Sequence, residues 1–535
     1  MKRFGLLFSL SLLFCSMGLF GQVTNNPNDK IYKDIDRWAV QGYITIQLPQ
    51  IRPYPAQLLD KILQQVIEKG NLSAQDKASS YLAAIAPESR PVHIGSHGTI
   101  AGKDTEINIF GAPTIDGSLR IEPWLTGVFD LQVYATLRRP GDEIVVPGTY
   151  SPYGDLIVDA ANIGDFLILQ DWNSTLAMGT DSLYVQSGLN RTSFGPFYDS
   201  SLVVGPQAGR AGHFSLNYSK DWWNFEILFL AISATDDFGN GQYPQKYVMI
   251  HAYDFKPLNT FEFGFFETVV WGGRFEPLYF IPLNQLFAAQ SMTGFNDNSL
   301  FGVHFSWLPT AGLQLLGQVY VDDLHFNDMI RLKFDTRYKL SAAAGINYMP
   351  VNSVFPDIKL NYTAVMPYMY THITESYSDR YKDGAPNYFN YTHRGKNLGP
   401  DLEPNSDLLT LSLVKSLLPE LEICLNGYFT RHGNASDGIS GMTPLNDGTI
   451  FDDGYTTIDK NHPQVGFDHE TRFLTQSVID YRLAGGLSLA WSLPTSFGVL
   501  GAQADYVLEY GWNRNLVKDD NGLTNFWGLS LSWRW

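Results

Sequence analysis

A period of two runs through most of this chain and limits what it can fold into. In the last segment Trp527, Leu529, Leu531, Trp533 and Trp535 alternate with Gly528, Ser530, Ser532 and Arg534. Successive strand residues point to opposite faces, so this segment has one apolar, aromatic face and one polar face. The same pattern sets Phe129, Leu131, Val133, Ala135 and Leu137 against Asp130, Gln132, Tyr134, Thr136 and Arg138. It sets Leu421, Ile423, Leu425 and Phe429 against Glu422, Cys424, Asn426, Tyr428 and Thr430, and Ala502, Ala504, Tyr506, Leu508 and Tyr510 against Gln503, Asp505 and Glu509. A soluble β-sandwich alternates too, but not with such aromatic outer faces from Val92 to the end. The expected fold is an all-β transmembrane antiparallel β-barrel of about 16–18 strands with a polar lumen, preceded by a small N-terminal α-helical bundle.

Composition agrees. Charged residues make up 17% and aromatics 14%, against ~25% charged in ordinary soluble domains. After the first residues no segment offers the ~18 uninterrupted apolar residues that a membrane helix needs. A net charge of −17 speaks against nucleic acid as a partner, which wants a basic face.

The connections give a topology. Short turns are expected at Ser492–Phe497, Leu417–Glu420, Met349–Ser353, Leu308–Ala311 and Lys256–Asn259. Long links are expected at 139–165, 189–211, 234–246, 270–298, 322–337, 373–405 and 431–471. Short periplasmic turns alternating with long extracellular loops are the habit of outer-membrane barrels.

The N-terminus reads as an export leader. Lys2 and Arg3 precede an apolar stretch from Phe4 to Phe14, too short to span a bilayer, and small residues follow. Cleavage is expected after Gly21, so Cys15 leaves with the leader 1–21 and Cys424 remains alone, unable to close an internal disulfide. Residues 22–90 then form a periplasmic helical domain and 91–535 the outer-membrane barrel. Three amphipathic helices carry the small domain. The first has Ile31, Ile35, Trp38 and Ala39 on one face, the second Leu58, Leu59, Ile62, Leu63, Val66 and Ile67, and the third Ser73, Ala78, Tyr81, Leu82 and Ile85. A structural plug or scaffold is favoured over a docking module.

Little of the chain reads as chemistry, and no cofactor or metal pattern stands out. Asp236-Asp237 and Asp452-Asp453 lack EF-hand spacing and read as acidic hairpin tips. His213, Ser215 and Asn217 share a strand face, as in outer-membrane phospholipases, yet Phe214, Leu216 and Tyr218 take the lipid side and turn that set inward. The chain is therefore read as non-enzymatic. Loops 189–211 and 270–298 hold the better candidates: Arg191, Phe194, Phe197, Tyr198 and Arg210 in the first, Trp271, Arg274, Phe275 and Tyr279 in the second. Aromatic faces stack on sugar rings, and arginine forks pair with the carboxylates of acidic polysaccharides. These residues are expected to converge on the outer face.

Three blocks resemble the Wzi capsule-assembly family of outer-membrane barrels. They are Asn190-Arg191-Thr192-Ser193-Phe194-Gly195-Pro196 with Ser200 to Val204; Lys256-Pro257-Leu258-Asn259 with Phe263-Gly264-Phe265, Glu267-Thr268 and Trp271-Gly272-Gly273; and Asn298 to Gly302 with Gln318 to Asp323. The resemblance implies a helical bundle ahead of an 18-stranded barrel and surface polysaccharide as the partner. The aromatic C-terminus at Trp535 looks like the signature that barrel-assembly machinery reads. A diffusion porin is the alternative, favoured by acidic lumen positions such as Asp130, Glu226, Glu262, Glu422 and Glu509.

Overall fold

A computed structural model describes residues 26–85, 92–137, 161–198, 200–236, 241–294, 297–324, 327, 330–331, 338–351, 354–372, 386–418, 420–437, 449–451 and 472–535. The expected leader 1–21 with Cys15, the Asp452-Asp453 pair and Asp237 lie outside them.

Helix α1 (Lys30–Val40) starts where the Asp29 carboxylate accepts the Ile31 amide at 3.1 Å, and it stops before Gly42, whose φ of 81° no side chain adopts cheaply. Helix α2 (Ala56–Lys69) follows Pro55 and ends at Gly70, and α3 (Leu72–Ile85) returns beside it. Ile31, Ile35, Trp38, Leu59, Ile62, Leu63, Val66, Ala78 and Ile85 form their shared core. Ser73 turns to water; Ala74, one position on, takes the buried place expected of it.

Eighteen long antiparallel strands close into a barrel. They are β1 (Val92–Lys103), β2 (Glu106–Glu122), β3 (Leu125–Leu137), β4 (Phe166–Gly179), β5 (Leu183–Asn190), β6 (Ala211–Ser219), β7 (Trp223–Asp236), β8 (Tyr243–Leu258) and β9 (Phe261–Gly272). Then come β10 (Asn298–Thr310), β11 (Leu313–Leu324), β12 (Tyr338–Tyr348), β13 (Asp357–Val365), β14 (Ser406–Leu418), β15 (Leu421–Gly433), β16 (Ile479–Thr495), β17 (Gly498–Trp512) and β18 (Gly522–Arg534). β18 pairs with β1, setting Ser530 beside Thr99, so the sheet has no free edge.

The period of two places side chains as expected. Leu425, Tyr506, Leu508, Leu529, Leu531 and Trp535 stand exposed on the outer wall. Asp130 meets Asn173 inside, and the Cys424 thiol contacts Asn426 at 3.2 Å on the lumen side. An apolar wall of this extent is stable only against lipid: the protein is an outer-membrane barrel. Among the described residues no helix is long and apolar enough to cross a membrane, and the strands make the span.

Turn positions were legible to within a few residues. The tight hairpins close at Leu258/Phe261, Thr310/Leu313, Leu418/Leu421 and Thr495/Gly498. The last lies beyond its expected start because β16 runs on through Ser492 and Pro494 to the end of its ladder. Long links run at the opposite end, and one nine-residue link there, 513–521, was not anticipated. Ser436, in the 431–471 link expected to be long, is buried, with its hydroxyl 2.9 Å from that of Tyr368.

This topology is tested by labelling intact cells in a Cys424→Ser background. A cysteine at Asn259, in a short turn, should resist a membrane-impermeant maleimide, and one at Val517, in the 513–521 link, should react. The reverse pattern would turn the barrel over.

Candidate functional site

The site is built in the lumen, by a segment rich in prolines. Pro49, Pro53 and Pro55 bar a helix between α1 and α2, so residues 46–54 run extended into the barrel. There the Glu226 carboxylate of β7 accepts the backbone N–H of Gln50 at 2.7 Å and of Ile51 at 3.0 Å. Glu262 of β9 accepts the Gln50 amide at 2.8 Å, and the Gln186 amide of β5 donates to the Pro53 carbonyl at 2.9 Å. The helices stay at the short-turn end, tied by Arg37 to Asp357, Lys61 to Asp181 and Arg120 to Asp60 at 3.1, 2.6 and 2.6 Å.

From the other end the 191–210 loop descends to meet this segment. Ser193 and Phe194 pair antiparallel with Arg52 and Ile51, and the Gly195 N–H donates to the Gln50 carbonyl at 3.1 Å. Arg52 sits at the centre, 1% exposed. Its guanidinium forks onto Asp36 and lies 3.2 Å from the centre of the Tyr198 ring, with Tyr32 and Tyr54 at 4.9 and 5.5 Å. Burial by itself would push the guanidinium down, but Asp36 and the tyrosines hold its pKa well above the ordinary value. The Tyr54 and Tyr198 hydroxyls both donate to the Pro49 carbonyl, at 2.9 and 3.1 Å. A cavity of about 150 Å³ lies beside this clamp, lined by Lys33, Asp36, Tyr198 and Glu262 among others.

Above the clamp the loops make a second hydrophobic core inside the barrel. Phe194, Phe197, Leu202, Val203 and Val204 pack with Tyr320, Met369, Tyr370 and Tyr391 against inward residues of β7 to β13. Tyr370 donates to the Leu202 carbonyl at 2.8 Å, and His393 bridges the Ser233 amide and the Arg210 carbonyl at 2.9 and 2.8 Å. Lys246 is fully buried between Asn390 at 2.7 Å and Thr392 at 3.2 Å. The described residues thus fill the lumen on one side. Inward side chains of β14 to β18 and β1, such as His97, Glu422, Asn426, Gln503 and Asp505, remain partly or fully exposed.

The structure divides the loop residues singled out from sequence. Arg191 and Arg210 meet on the lumen wall at Asp171. Arg191 is 3.0 and 3.1 Å from its two oxygens, and the Arg210 Nε is 3.7 Å away. Phe197 is in the inner core and Tyr198 in the clamp. Trp271, Arg274 and Tyr279 are on the outer wall: Trp271 and Tyr279 are buried and 4.9 Å apart, while Arg274 forks onto Asp297 at 3.0 and 2.6 Å and keeps a third of its side chain exposed. The expected convergence on one outer face does not occur, because apolar loop residues find partners inside and along the wall. Glu226 and Glu262 likewise do not line an open bore; they hold the entering segment.

Sequence reasoning missed Arg52 and Asp171. Arg52 lies in a proline stretch that announces only a break between helices. Asp171 alternates inward like other strand residues, and nothing local marks it. The His213–Ser215 pair is real, with Ser215 Oγ 3.3 Å from His213 Nε2, but both are buried in the lumen. Among the described residues His213 Nδ1 has no partner, and Asn217 bonds Asn224 instead, so no orienting group completes the set.

Removing the clamp cation tests this assembly. Arg52→Ala should destabilise the inserted segment by about 3 kcal/mol, the low end for a buried pair, since Asp36 keeps 25% of its side chain exposed. Hydrogen exchange should rise together in residues 46–54 and 191–198, with the barrel strands unchanged. Exchange confined to 46–54 would mean that the loop stands without the clamp.

No family model matches the chain, and no curated protein does. Among solved structures it is similar to Wzi of Escherichia coli, an outer membrane protein involved in group 1 capsule assembly and described as a carbohydrate binding β-barrel. The TM-score is 0.56 at 14% identity, covering 96% of this chain and 99% of that one. OprD of Pseudomonas aeruginosa overlaps at a TM-score of 0.45 and 9% identity over 83% of this chain and 93% of its own. OccAB2 of Acinetobacter baumannii overlaps at 0.43 and 10%, over 83% and 97%.

Proposed function

We propose that this barrel binds surface polysaccharide, capsular or exopolysaccharide, at its long-loop end and carries out no catalysis. The observation that carries the reading is the clamp of 46–54 on 191–198, which ties a surface loop to the helical domain through the lumen. A loop held this way is a rigid platform, and rigidity lowers the entropy lost when a polymer is bound. The whole-length likeness to a carbohydrate-binding barrel points the same way. In this reading Arg191, Phe197, Tyr198, Arg210, Trp271 and Tyr279 set the shape of the loops, and Arg274, a third exposed, lies nearest to polymer. The helical domain faces the periplasm as a plug, and the strand ending at Trp535 is the one offered to the assembly machinery. A repeating polymer makes weak contacts that add by avidity.

A second reading rests on the side of the lumen that the described residues leave unfilled, where exposed Gln503 and partly exposed Asp505 and Glu422 would favour passage of small cations. Planar-bilayer recording separates the two. The binding reading expects little steady conductance from purified protein, together with retention of purified polysaccharide in pull-down. Tyr198→Ala with Trp271→Ala should cut that retention several-fold by loosening the loops. Arg274→Ala should weaken retention more at low salt than at high salt if the polymer is acidic. Large ohmic channels with no polysaccharide retention would replace binding by diffusion.

A further inference from the structure

The link between β9 and β10 does not rise into solvent; it folds back down the outside of the barrel. Its 3-10 turn (Pro277–Phe280) and short helix α4 (Leu286–Met292) bury Tyr279, Leu286 and Ala289 against Phe225, Ile227, Met249, Val269 and Trp271, all outward residues of β7 to β9. The strap covers polar residues on a largely apolar wall, among them His251, Glu267 and Ser299. Both ring nitrogens of His251 face strap carbonyls, Asn284 at 2.9 Å and Tyr279 at 3.1 Å. The Glu267 carboxylate accepts the Phe287 amide at 3.2 Å.

Depth follows from the strand. Glu267 lies five residues below Gly272, the upper end of the 12-residue strand β9. At ~3.3 Å per residue and ~40° tilt, β9 is about 30 Å tall and Glu267 sits about 12 Å down. The apolar band of such barrels is ~25 Å, so the strap reaches into it.

The chemistry of the strap suits that depth. From Pro277 to Gly294 there is no Asp, Glu, Lys, Arg or His. Apart from the exposed Gln285, its polar side chains are satisfied internally. Ser291 donates to the Ala288 carbonyl at 2.6 Å and Thr293 to the Gln290 carbonyl at 3.0 Å. The Asn284 amide donates to the Leu278 carbonyl at 3.2 Å, and Gln290 joins the Asp297 carbonyl and Ser299. Groups placed in hydrocarbon must be paired in this way, whereas a loop in water has no such need. The face turned away from the barrel carries Phe275, Ile281, Leu283, Phe287 and Met292, with Leu283 66% and Met292 79% exposed. It continues the apolar wall of Phe265, Phe301 and Val303, and Phe287 contacts Phe301 at 5.7 Å between ring centres.

We propose that this strap is immersed in the outer leaflet, where its exposed apolar face contacts the acyl chains of the surrounding bilayer. The experiment uses the full chain in phosphatidylethanolamine/phosphatidylglycerol vesicles, with nitroxide-labelled cysteines in the Cys424→Ser background. Labels at Leu283 and Met292 should be relaxed more by oxygen than by a water-soluble nickel chelate, like a label at the wall position Val303. A label at Val517 should show the opposite order. Nickel exceeding oxygen at Leu283 and Met292 would place the strap in water and overturn the proposal. Low accessibility to both reagents would overturn it as well, in favour of a covering protein. The unaltered protein gives a check free of variants: Met292 in vesicles should be oxidised by hydrogen peroxide no faster than the buried Met249. Faster oxidation of Met292 counts against immersion.

Discussion

An eighteen-strand barrel is wider than its own inward side chains can fill, since eight strands already leave an interior only just filled by side chains. Any such chain must therefore supply its lumen with other material or leave it to water. Among the described residues one half is supplied from both ends at once, by 46–54 from the short-turn side and by 191–198, 200–210, 366–372 and 386–405 from the other. The two meet at a ladder only two residues long, Ile51–Arg52 on Ser193–Phe194. So short a ladder is weak alone. Arg52 between Asp36 and three tyrosine rings makes it specific, because removing any partner leaves a buried group unmatched.

The acidic wall residues gain a structural use from this arrangement. Glu226 is fully buried and would be costly unpaired, yet two backbone N–H groups of the entering segment meet its carboxylate. The same two contacts satisfy donors that an extended segment inside a barrel would otherwise leave bare. Asp171 of β4 acts in a similar way, collecting Arg191 and Arg210 from the two ends of a single loop. Where these carboxylates meet the inserted segments, they fix the position of a backbone or of an arginine side chain.

The fold was legible because lipid imposes a rule on every strand. Outward residues must be apolar and inward ones need not be, so alternation at Trp527 to Trp535 or Phe129 to Leu137 is visible without tertiary knowledge. The three helices were legible by the same logic at a different period. The candidate site was legible only as a set of loops. Trp271 and Tyr279 carry no mark in sequence that tells a sugar-stacking ring from one packed against its own barrel wall, since both uses demand an aromatic in a link. Arg191 and Arg274 are alike in this: their forks suit a foreign carboxylate or Asp171 and Asp297 equally well. The choice depends on how each loop folds, which follows from contacts far away in sequence, such as Phe194 with Phe266 or Tyr370 with Leu202.

The direction each link takes can still be connected to its composition once the structure is known. The 191–210 link holds a dense apolar set, Phe194, Phe197, Leu202, Val203 and Val204, flanked by Arg191 and Arg210, and it turns inward where both apolar and ionic partners wait. The 273–297 link keeps its charges at its base, in Arg274, Glu276 and Asp297, and is uncharged between them, so it lies along a wall that is apolar beside His251 and Glu267, both met by its backbone. Had the charges been spread through that strap, most would have been held against apolar side chains at the cost of desolvation. Charge placement, more than the number of aromatic residues, separates a loop that fills a lumen from one that covers a wall.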